Sequence, residues 1–239
     1  MTALAGRSAV VTGASRGIGA ATARALVAAG ARVALIARST NELKALAADL
    51  GEGAAAIPAD LTETAGLDAA VAAVRDLLSD APDILVNNAG IFRVAPAGEM
   101  PFSVFTDTIE LNLVVPFRVI RSFLPGMLAR RSGHVVNLGS VADRHAFPGN
   151  AAYSASKFGL RGLHEVLRAE LRGSGVRTTL VSPGSVDTAL WDVAEAGSPP
   201  GTYTARRDML QPDAVAAAVL YAVTQPAEVT VEELRLRRT

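Results

Sequence analysis

Residues 140–157 read SVADRHAFPGNAAYSASK. The run before them, His134 to Leu138, is largely apolar and predicts a buried strand that ends in a Gly-Ser turn. A polar loop follows, and Tyr153 opens a segment that is predicted to be helical to about residue 172. The stretch is therefore predicted to join a strand to a helix in an α/β fold.

The spacing of Tyr153 and Lys157 points to acid–base chemistry. On a helix, residues four apart lie on one face, so the two side chains can interact. A tyrosine hydroxyl titrates near ~10, which is too high for a base at neutral pH. A lysine cation about 4 Å away, at an effective dielectric of about 20, is worth roughly 4 kcal/mol, or about 3 pKa units. The pair thus predicts an acid–base tyrosine, with Ser140 hydrogen-bonding a substrate oxygen.

The same spacing is also common in ordinary surface pairs whose polar tips lie in water. The choice of basic residues in this chain argues against a simple surface pair. The chain has 23 Lys and Arg residues, and only Lys44 and Lys157 are lysines. A lysine four residues after a tyrosine in such an arginine-rich chain favours the catalytic interpretation.

Composition limits the class of protein. The 239 residues suit a single α/β domain, residues 1–239, with a large core. The formal net charge is +0, whereas a nucleic-acid-binding surface would need a basic surplus. Cys is absent, so no disulfide or thiolate metal site is expected, and no other metal site is predicted. No signal peptide or uninterrupted apolar run of roughly 18 residues is recognised, so a cytoplasmic protein without membrane contact is expected.

Short apolar segments alternate with longer helical segments along the chain. Strands are predicted at residues 8–12, 32–37, 54–59, 84–87, 134–138, 177–182 and 228–235. Helices are predicted at residues 17–29, 41–50, 63–79, 103–131, 153–172 and 212–224. This alternation predicts βαβ units on a parallel sheet that is covered on both faces. Ligands of such sheets bind beyond the carboxyl ends of the strands.

The glycine-rich segment TGASRGIG, residues 12–19, lies between the first predicted strand and the first predicted helix. Glycines allow a tight turn and a close backbone approach, and a helix N-terminus attracts phosphate. The spacing is G-x-x-x-G-x-G and differs from the G-x-G-x-x-G fingerprint. Such a turn can be purely structural, but its position favours a nucleotide site.

The end of the second predicted strand bears on the choice of cofactor. An NAD-binding protein would place an acidic residue there to hold the ribose 2′-hydroxyl, whereas this chain has Arg38 and Ser39. Together with Arg16 in the glycine turn, Arg38 would suit a phosphate. NADP(H) is therefore expected in preference to NAD(H). The alternatives are that the arginines are only solvated, or that Glu42 contacts the ribose.

Three other strand ends carry polar residues. Asp60, after the third strand, is predicted either to cap the next helix or to bind an adenine amine. The segment NNAG at residues 87–90 is predicted either to line a cofactor groove or to make a simple turn. The segment SPGSVDT at residues 182–188 turns sharply, and Thr188 with nearby backbone groups could bind a carboxamide or a phosphate.

Asn112 lies within the long predicted helix that begins near residue 103. Asn is unfavourable inside a helix, and Pro116, four residues later, has no N–H for the Asn112 carbonyl. The helix is therefore predicted to kink, and the freed carbonyl is predicted to hold a water molecule.

Together these segments resemble the short-chain dehydrogenases/reductases of the compact single-domain type. The matching motifs are T-G-x-x-x-G-x-G at residues 12–19, N-N-A-G at 87–90, Asn112, Ser140, Y-x-x-x-K at Tyr153 and Lys157, and P-G-x-V-x-T at 183–188. Each motif alone is weak, whereas the full set in this order and spacing is a strong signal. The resemblance covers nearly the whole chain.

The resemblance implies a Rossmann-like, doubly wound parallel sheet of about seven strands with helices on both faces. It implies that Tyr153 is the acid/base and that Ser140 steadies the substrate carbonyl oxygen. It also implies that Lys157 lowers the pKa of Tyr153 and binds the nicotinamide ribose, and that Asn112 holds the water of a proton relay. The cofactor-binding residues expected from the motifs and the resemblance are Gly13, Ser15, Arg16, Gly17, Ile18, Gly19, Arg38, Ser39, Asp60, Leu61, Asn87, Ala89, Gly90, Tyr153, Lys157, Pro183, Gly184, Val186 and Thr188.

The substrate pocket and the assembly are less specified. A substrate loop is expected at about residues 184–211, and a mostly apolar pocket suggests a moderately hydrophobic ketone or aldehyde. The resemblance implies a homodimer or homotetramer built on the two long helices. The expected pocket residues are Phe92, Val141, His145, Phe147 and Trp191, with Val94, Asn150, Tyr203 and Met209 as further candidates.

Two functions from different classes follow. The leading one is an NADP(H)-dependent oxidoreductase, a carbonyl reductase or alcohol dehydrogenase, in which hydride transfer interconverts a carbonyl and an alcohol. The alternative is a non-catalytic NADP(H)-binding sensor on the same fold, although such proteins often lack the Tyr or the Lys. A nucleotide-sugar epimerase or dehydratase is disfavoured, because those relatives usually have a larger C-terminal domain and a G-x-x-G-x-x-G turn.

Overall fold

The computed structural model describes residues 3–78, 80–192 and 203–239. The strands are β1 (Ser8–Thr12), β2 (Arg32–Ala37), β3 (Ala54–Pro58), β4 (Ile84–Asn87), β5 (Gly133–Leu138), β6 (Val176–Pro183) and β7 (Glu233–Leu236). The helices are α1 (Gly17–Ala28), α2 (Thr40–Leu50), α3 (Thr64–Leu78), α4 (Phe102–Ile109), α5 (Val115–Ala129), α6 (Ala151–Glu170) and α7 (Pro212–Val223).

The strands form one seven-stranded sheet in the order β3-β2-β1-β4-β5-β6-β7. Each neighbouring pair is parallel. The chain runs outward from β1 to β3 and then crosses back to β4, so the order reverses between β1 and β4. This reversal is the switch point at which doubly wound sheets bind ligands. The predicted Rossmann-like parallel fold is therefore confirmed.

Helices cover both faces of the sheet, and the side chains of β1 show the two faces directly. Val11 belongs to one buried cluster with Leu26 of α1 and Val219 of α7. Its neighbour Val10 belongs to the other cluster, with Phe123 of α5. Successive side chains of a strand point to opposite faces, so a strand covered on both sides is apolar throughout. This is why the strands appear in the sequence as continuous apolar runs.

Most predicted boundaries lie within a few residues of the observed ones, with one larger difference at β7. Strand β7 begins at Glu233 instead of residue 228. Residues 226–229 form a turn instead, in which the Val229 N–H donates to the Pro226 carbonyl. Helix α6 begins at Ala151, so Tyr153 lies inside its first turn. The predicted loop 184–211 falls partly outside the described residues. Its described parts are joined by a parallel bridge between Val186 and Leu210.

The long predicted helix at 103–131 is interrupted near Pro116. A π-helical turn, Glu110–Val114, separates α4 from α5, and Val115 N–H donates to the Glu110 carbonyl five residues earlier. Proline cannot donate to the carbonyl four residues before it, and a π turn is one way to accommodate the missing bond. A π-helical turn therefore lies next to the proline where a kink was predicted, and the kink itself stays a prediction.

The stretch Phe102–Ala129 is long and apolar enough to cross a membrane by length and composition alone. The search of the sequence for an uninterrupted apolar run did not select this stretch, because Arg118 and Arg121 divide its apolar residues. In the fold, Val119, Ile120 and Phe123 of this stretch are buried in the core beside the sheet. Core helices of globular proteins commonly share such a composition.

Phe123 is 1% exposed and belongs to one of the two core clusters. Phe123→Ala removes a large buried ring and leaves a cavity, which costs about 3–5 kcal/mol of unfolding free energy. We expect the thermal midpoint to fall by on the order of 10 °C. Phe102→Ala, at a 79% exposed position on the same helical stretch, is the control and should shift it little. Equal midpoints for the two variants would contradict this account of the core.

Candidate active site

A cavity of about 680 Å³ opens at the carboxyl ends of the strands. Its walls come from the segments that follow β1 to β6 and from the first turns of α6. The predicted residues that line it are Gly13, Ser15, Arg16, Gly17, Ile18, Arg38, Ser39, Asp60, Leu61, Ala89, Gly90, Phe92, Val94, Ser140, Val141, Phe147, Asn150, Tyr153, Lys157, Pro183, Gly184, Val186, Thr188, Trp191 and Tyr203. Sequence motifs that lie far apart in the chain thus surround one cavity.

Among the residues that the structure describes, five of the predicted site residues do not line this cavity. They are Gly19, Asn87, Asn112, His145 and Met209. His145 is exposed, and its backbone N–H donates to the Val141 carbonyl. Met209 is 1% exposed and belongs to the protein interior. The other three have structural contacts that explain their positions.

The glycine turn is tied to the end of β4 by Asn88. Its side-chain amide donates to the carbonyls of Thr12 at 2.9 Å and Gly13 at 3.1 Å. In return, the Thr12 hydroxyl accepts the backbone N–H groups of Asn88 and Ala89, both at 3.0 Å. The two central strands are therefore joined just below the cavity.

Gly19 and Asn87 act through packing instead of lining the cavity. A Cβ on Gly19 would lie 2.2 Å from the Gly13 carbonyl oxygen and 2.5 Å from the Asn88 amide nitrogen. Asn87 is buried, and its amide donates to Asn137 Oδ1 at 2.9 Å between β4 and β5. The Asn87 side chain thus packs within the sheet and does not line the cavity, and a contact between Asn87 and a cofactor stays a prediction. Asn88, one residue later, lines the cavity.

One end of the cavity suits an anion. Helix α1 begins at Gly17, and no side chain caps its N-terminus, where Arg16 has an extended backbone. The first N–H groups of a helix lack partners within the helix and attract negative charge. Arg16 and Arg38 line the same end. The Arg38 side chain is 64% exposed, so its guanidinium can reach a ligand from the solvent side.

Asp60 has local partners at this end. Its carboxylate accepts the Thr62 N–H at 3.0 Å and the Thr62 hydroxyl at 2.7 Å, just before α3. Burial alone would raise the pKa of Asp60, but the Thr62 hydrogen bonds and the Arg38 guanidinium, 3.7 Å away, lower it. These contacts hold the turn before α3, and both helix capping by Asp60 and a contact with adenine stay predictions.

Aromatic rings form the other end of the cavity. Phe92 packs edge-on against Tyr153, with ring centroids 4.8 Å apart, and against Trp191 at 5.1 Å. Trp191 in turn contacts Tyr203 at 5.6 Å and donates its indole N–H to the Val186 carbonyl at 3.0 Å. Phe147, which is 46% exposed, lies at the rim.

Tyr153, Lys157 and Ser140 meet where these two ends join. Lys157 is only 6% exposed and donates from Nζ to the Leu138 carbonyl at 2.8 Å. The same ammonium lies 5.6 Å from the centroid of the Tyr153 ring. Ser140 follows β5, and its hydroxyl oxygen accepts the Ala142 N–H at 3.1 Å. Helix α6 and the end of β5 therefore fix the three side chains together.

The pKa values of Tyr153 and Lys157 are both shifted at this junction. Burial raises the pKa of Tyr153, hydrogen bonding with Ser140 opposes the rise, and the Asp143 charge adds to it. Burial lowers the pKa of Lys157 to about 8, and Asp143 opposes that fall. Burial is the largest influence on Tyr153 here, and the Lys157 ammonium donates to the Leu138 carbonyl, so the lowering of the Tyr153 pKa by Lys157 stays a prediction.

Asn112 is 1% exposed and connects two parts of the site. Its side chain accepts the Ile91 N–H and donates to the Ile91 carbonyl, both at 2.9 Å. It also donates to the Ser156 hydroxyl at 3.1 Å, and that hydroxyl donates to the Tyr153 carbonyl at 2.7 Å. Asn112 therefore positions the loop after β4 against the turn of α6 that bears Tyr153. Its role in holding a water molecule stays a prediction.

Sequence reasoning missed two polar residues that the structure places at the site, Ser156 and Asp143, and within the predicted segment 87–90 it did not single out Asn88. Asn88 and Ser156 act through the hydrogen bonds given above. Asp143 is fully buried three residues after Ser140, and its carboxylate accepts the Ser182 hydroxyl. The adjacent motif residues were the available signal for Asn88 and Ser156, whereas a single aspartate in a polar loop gave none for Asp143.

Comparison with known proteins agrees with this geometry. Residues 7–198 match the family described as short chain dehydrogenase. An uncharacterized oxidoreductase of Staphylococcus haemolyticus is 37% identical over 238 residues, which cover 99% of both chains. The chain therefore belongs to the short-chain dehydrogenase/reductase family, and it is an oxidoreductase of that family.

Two solved structures show the same architecture. A metagenomic short-chain oxidoreductase in complex with NADP superposes with a TM-score of 0.85 at 35% identity, covering 99% of each chain. An alcohol dehydrogenase from the archaeon Thermococcus sibiricus, complexed with 5-hydroxy-NADP, gives a TM-score of 0.86 at 32% identity, covering 98% of this chain and 97% of that one.

Gly19→Ala tests the packing beneath the glycine turn. The added methyl group would overlap the Gly13 carbonyl and the Asn88 amide, and such overpacking costs about 1–3 kcal/mol. We expect a lower thermal midpoint. Gly162→Ala is the matched control. A Cβ at this helical glycine would have no atom of another segment within 4 Å. The control should be neutral or stabilising by up to about 1 kcal/mol. A Gly19→Ala variant as stable as the control would refute the assignment.

Proposed function

We propose that the protein is an NADP(H)-dependent oxidoreductase that interconverts a ketone or aldehyde and an alcohol, with Tyr153 as the acid/base. One observation carries the proposal. Tyr153, Lys157 and Ser140 line the same cavity as the glycine turn and Arg38. A proton donor and an anion-binding end therefore share one enclosed space of the size that cofactor sites usually have.

The residues present fit a nicotinamide dinucleotide. Gly13 and Gly17 have φ values of +65° and +56°, which glycine adopts readily and which open the backbone toward the cavity. The first turn of α1 and the two arginines suit the phosphates, and the segment Pro183 to Thr188 suits a carboxamide. The cofactor would supply the hydride. NADP in a relative of similar fold and length supports this assignment.

A preference for NADP(H) rests on charge. Strand β2 ends at Ala37, and Arg38 and Ser39 follow it in the cavity wall where an acidic residue would favour NAD(H). Arg38 is paired with Asp60 only loosely, at 3.7 Å between exposed atoms, so its charge remains available for a 2′-phosphate.

The site favours protonated tyrosine. Because burial raises the pKa of Tyr153, its hydroxyl carries the proton throughout the neutral range. In the reductive direction this hydroxyl would donate its proton to the substrate oxygen, while the Ser140 hydroxyl donates a hydrogen bond to the same oxygen. Lys157 would then stabilise the tyrosinate that remains. Asn112 would position this helical turn and hold the relay water.

The lining at the aromatic end indicates the substrate class. Phe92, Trp191 and Phe147 surround the space next to Tyr153, and the residues around them are mostly apolar. We propose a moderately hydrophobic ketone or aldehyde as the substrate. An apolar substituent would displace water from these rings, which is the main source of affinity in such a pocket.

We propose a homo-oligomer built on α5 and α6, which exposed apolar side chains on these helices support. On α5, Phe117 is 48% exposed. On α6, Phe158 is 44% exposed and Val166 is 53% exposed. Burying them between copies would remove apolar area from water, which supports a homodimer or homotetramer. A cytoplasmic location and a single functional domain over residues 1–239 belong to the same proposal.

Tyr153→Phe removes the proposed acid while leaving the ring that packs on Phe92. We expect kcat for NADPH-dependent ketone reduction to fall at least about 100-fold, with NADPH affinity within about threefold of the original protein. Tyr221→Phe, at a 55% exposed position, is the control. Unchanged turnover in Tyr153→Phe would refute the mechanism. NADPH binding by the original protein with no turnover on any carbonyl would favour the sensor.

Arg38→Ala tests the cofactor preference. Loss of a charge-assisted contact to the 2′-phosphate should weaken NADPH binding about 10-fold or more and leave NADH binding nearly unchanged. The control is Arg24→Ala, because Arg24 is an exposed arginine that pairs with Asp49 on the surface. Binding is measured by the fluorescence of the reduced nicotinamide. Equal losses for NADPH and NADH would contradict the proposed role.

A further inference from the structure

Asp143 is a buried charge that the proposed reaction does not use. It ends the helical turn Val141–Asp143 that follows Ser140, and it is fully buried. One carboxylate oxygen accepts the Ser182 hydroxyl at 2.5 Å. The other oxygen is buried and has no hydrogen-bond partner among the described residues. A buried carboxylate is costly unless a cation balances it.

The adjacent cation is already neutralised. Arg144 Nε lies 3.9 Å from the unpartnered oxygen of Asp143. However, the Arg144 guanidinium makes two hydrogen bonds to the carboxylate of Glu233 on β7. Those two charges cancel, so this pair leaves the Asp143 charge largely unbalanced.

Lys157 is the buried cation on the other side of the same peptide unit. Its Nζ lies 2.8 Å from the Leu138 carbonyl oxygen. Gly139 follows Leu138 in the chain. A Cβ added to Gly139 would lie 2.8 Å from an oxygen of the Asp143 carboxylate. Adding the peptide dimensions places the two charges at most roughly 10 Å apart. The ammonium contacts a neutral carbonyl and therefore still needs an anion.

Other charged or titratable groups face this turn from the elements packed against it. Helix α6 contributes the Tyr153 hydroxyl beside Lys157, and further along it Arg161, His164 and Glu165. Strand β7 contributes Glu233, bound to Arg144, and Arg235 next to it. Among these, Asp143 is the one carboxylate whose charge acts on both Tyr153 and Lys157.

We propose that Asp143 is the counter-charge that keeps Lys157 protonated beside Tyr153, and so is a positioning residue for the catalytic pair. The effect of Asp143 on turnover rests on the proposed function. The effect of Asp143 on the charge of Lys157 is independent of that function. A protonated Lys157 is what the tyrosinate formed in each reduction would require.

The direction of each effect follows from the surroundings. Burial lowers the pKa of Lys157 to about 8, and the negative Asp143 opposes the fall. Removing the carboxylate should therefore let Lys157 lose its proton at lower pH. The same carboxylate raises the pKa of Tyr153, so its removal lowers that pKa as well. Reduction needs the tyrosine protonated, and the alkaline limb of the rate profile should therefore move to lower pH.

The chain contains only two lysines, so Lys157 can be observed directly. Protein made with lysine labelled with ¹³C at Cε gives two titrating NMR signals, and exposed Lys44 on α2 is the internal reference. In Asp143→Asn the Lys157 midpoint should fall by about one pH unit or more, the size expected for one charge at this distance. In Ser182→Ala, which keeps the carboxylate and removes its hydrogen bond, the shift should be less than half as large.

An unchanged Lys157 midpoint in Asp143→Asn would overturn the proposal, and so would an equal shift in Ser182→Ala. If Asp143→Asn fails to fold, Asp143→Ser removes the same charge and has the same expected result. The alkaline limb of NADPH-dependent reduction should fall in step with the lysine signal. If the original protein turns over no carbonyl substrate, the proposed function fails, whereas the lysine titration still decides the role of Asp143.

Discussion

A buried ammonium group is the feature on which the whole site depends. Lys157 lies almost entirely out of water and is fixed to the carbonyl that ends β5. That hydrogen bond joins helix α6 to the end of β5 one helical turn after Tyr153, and buried side chains such as Leu167 pack the same helix into the core. Because desolvation works against the charge, its surroundings must restore it. The strand end, the turn that holds Asp143 and the tyrosine are consequently parts of one electrostatic unit.

Much of this could be predicted from the sequence, because a parallel sheet converts order along the chain into closeness in space. The glycine turn, Arg38, Ser140 and the Pro183 segment each follow a different strand, and the carboxyl ends of parallel strands meet at one edge. A local pattern at each strand end was therefore enough to predict one shared cavity. Continuous apolar strands likewise predicted cover on both faces, since a half-exposed sheet would show alternation.

The remaining features depend on facts that a local pattern does not contain. Asn87 and Asn88 look equivalent in the sequence, but strand alternation buries the first and leaves the second at the cavity. The pKa of Tyr153 follows the balance of burial against charge, and spacing on a helix gives only the charge. Asp143 contacts Ser182, 39 residues later, so only the folded chain brings them together. His145 is exposed and does not line the cavity, and its contact with a substrate stays a prediction.

Transfer of an isotope from cofactor to product tests the central claim most directly. NADPH deuterated on one or the other face of its nicotinamide C4 would be incubated with the protein and an apolar ketone, and the alcohol analysed by mass spectrometry. The account predicts alcohol that carries one deuterium on the carbinol carbon, from only one of the two labelled forms, because the cavity fixes both reactants. Alcohol without deuterium from either form, or no alcohol across a panel of ketones and aldehydes, would contradict it.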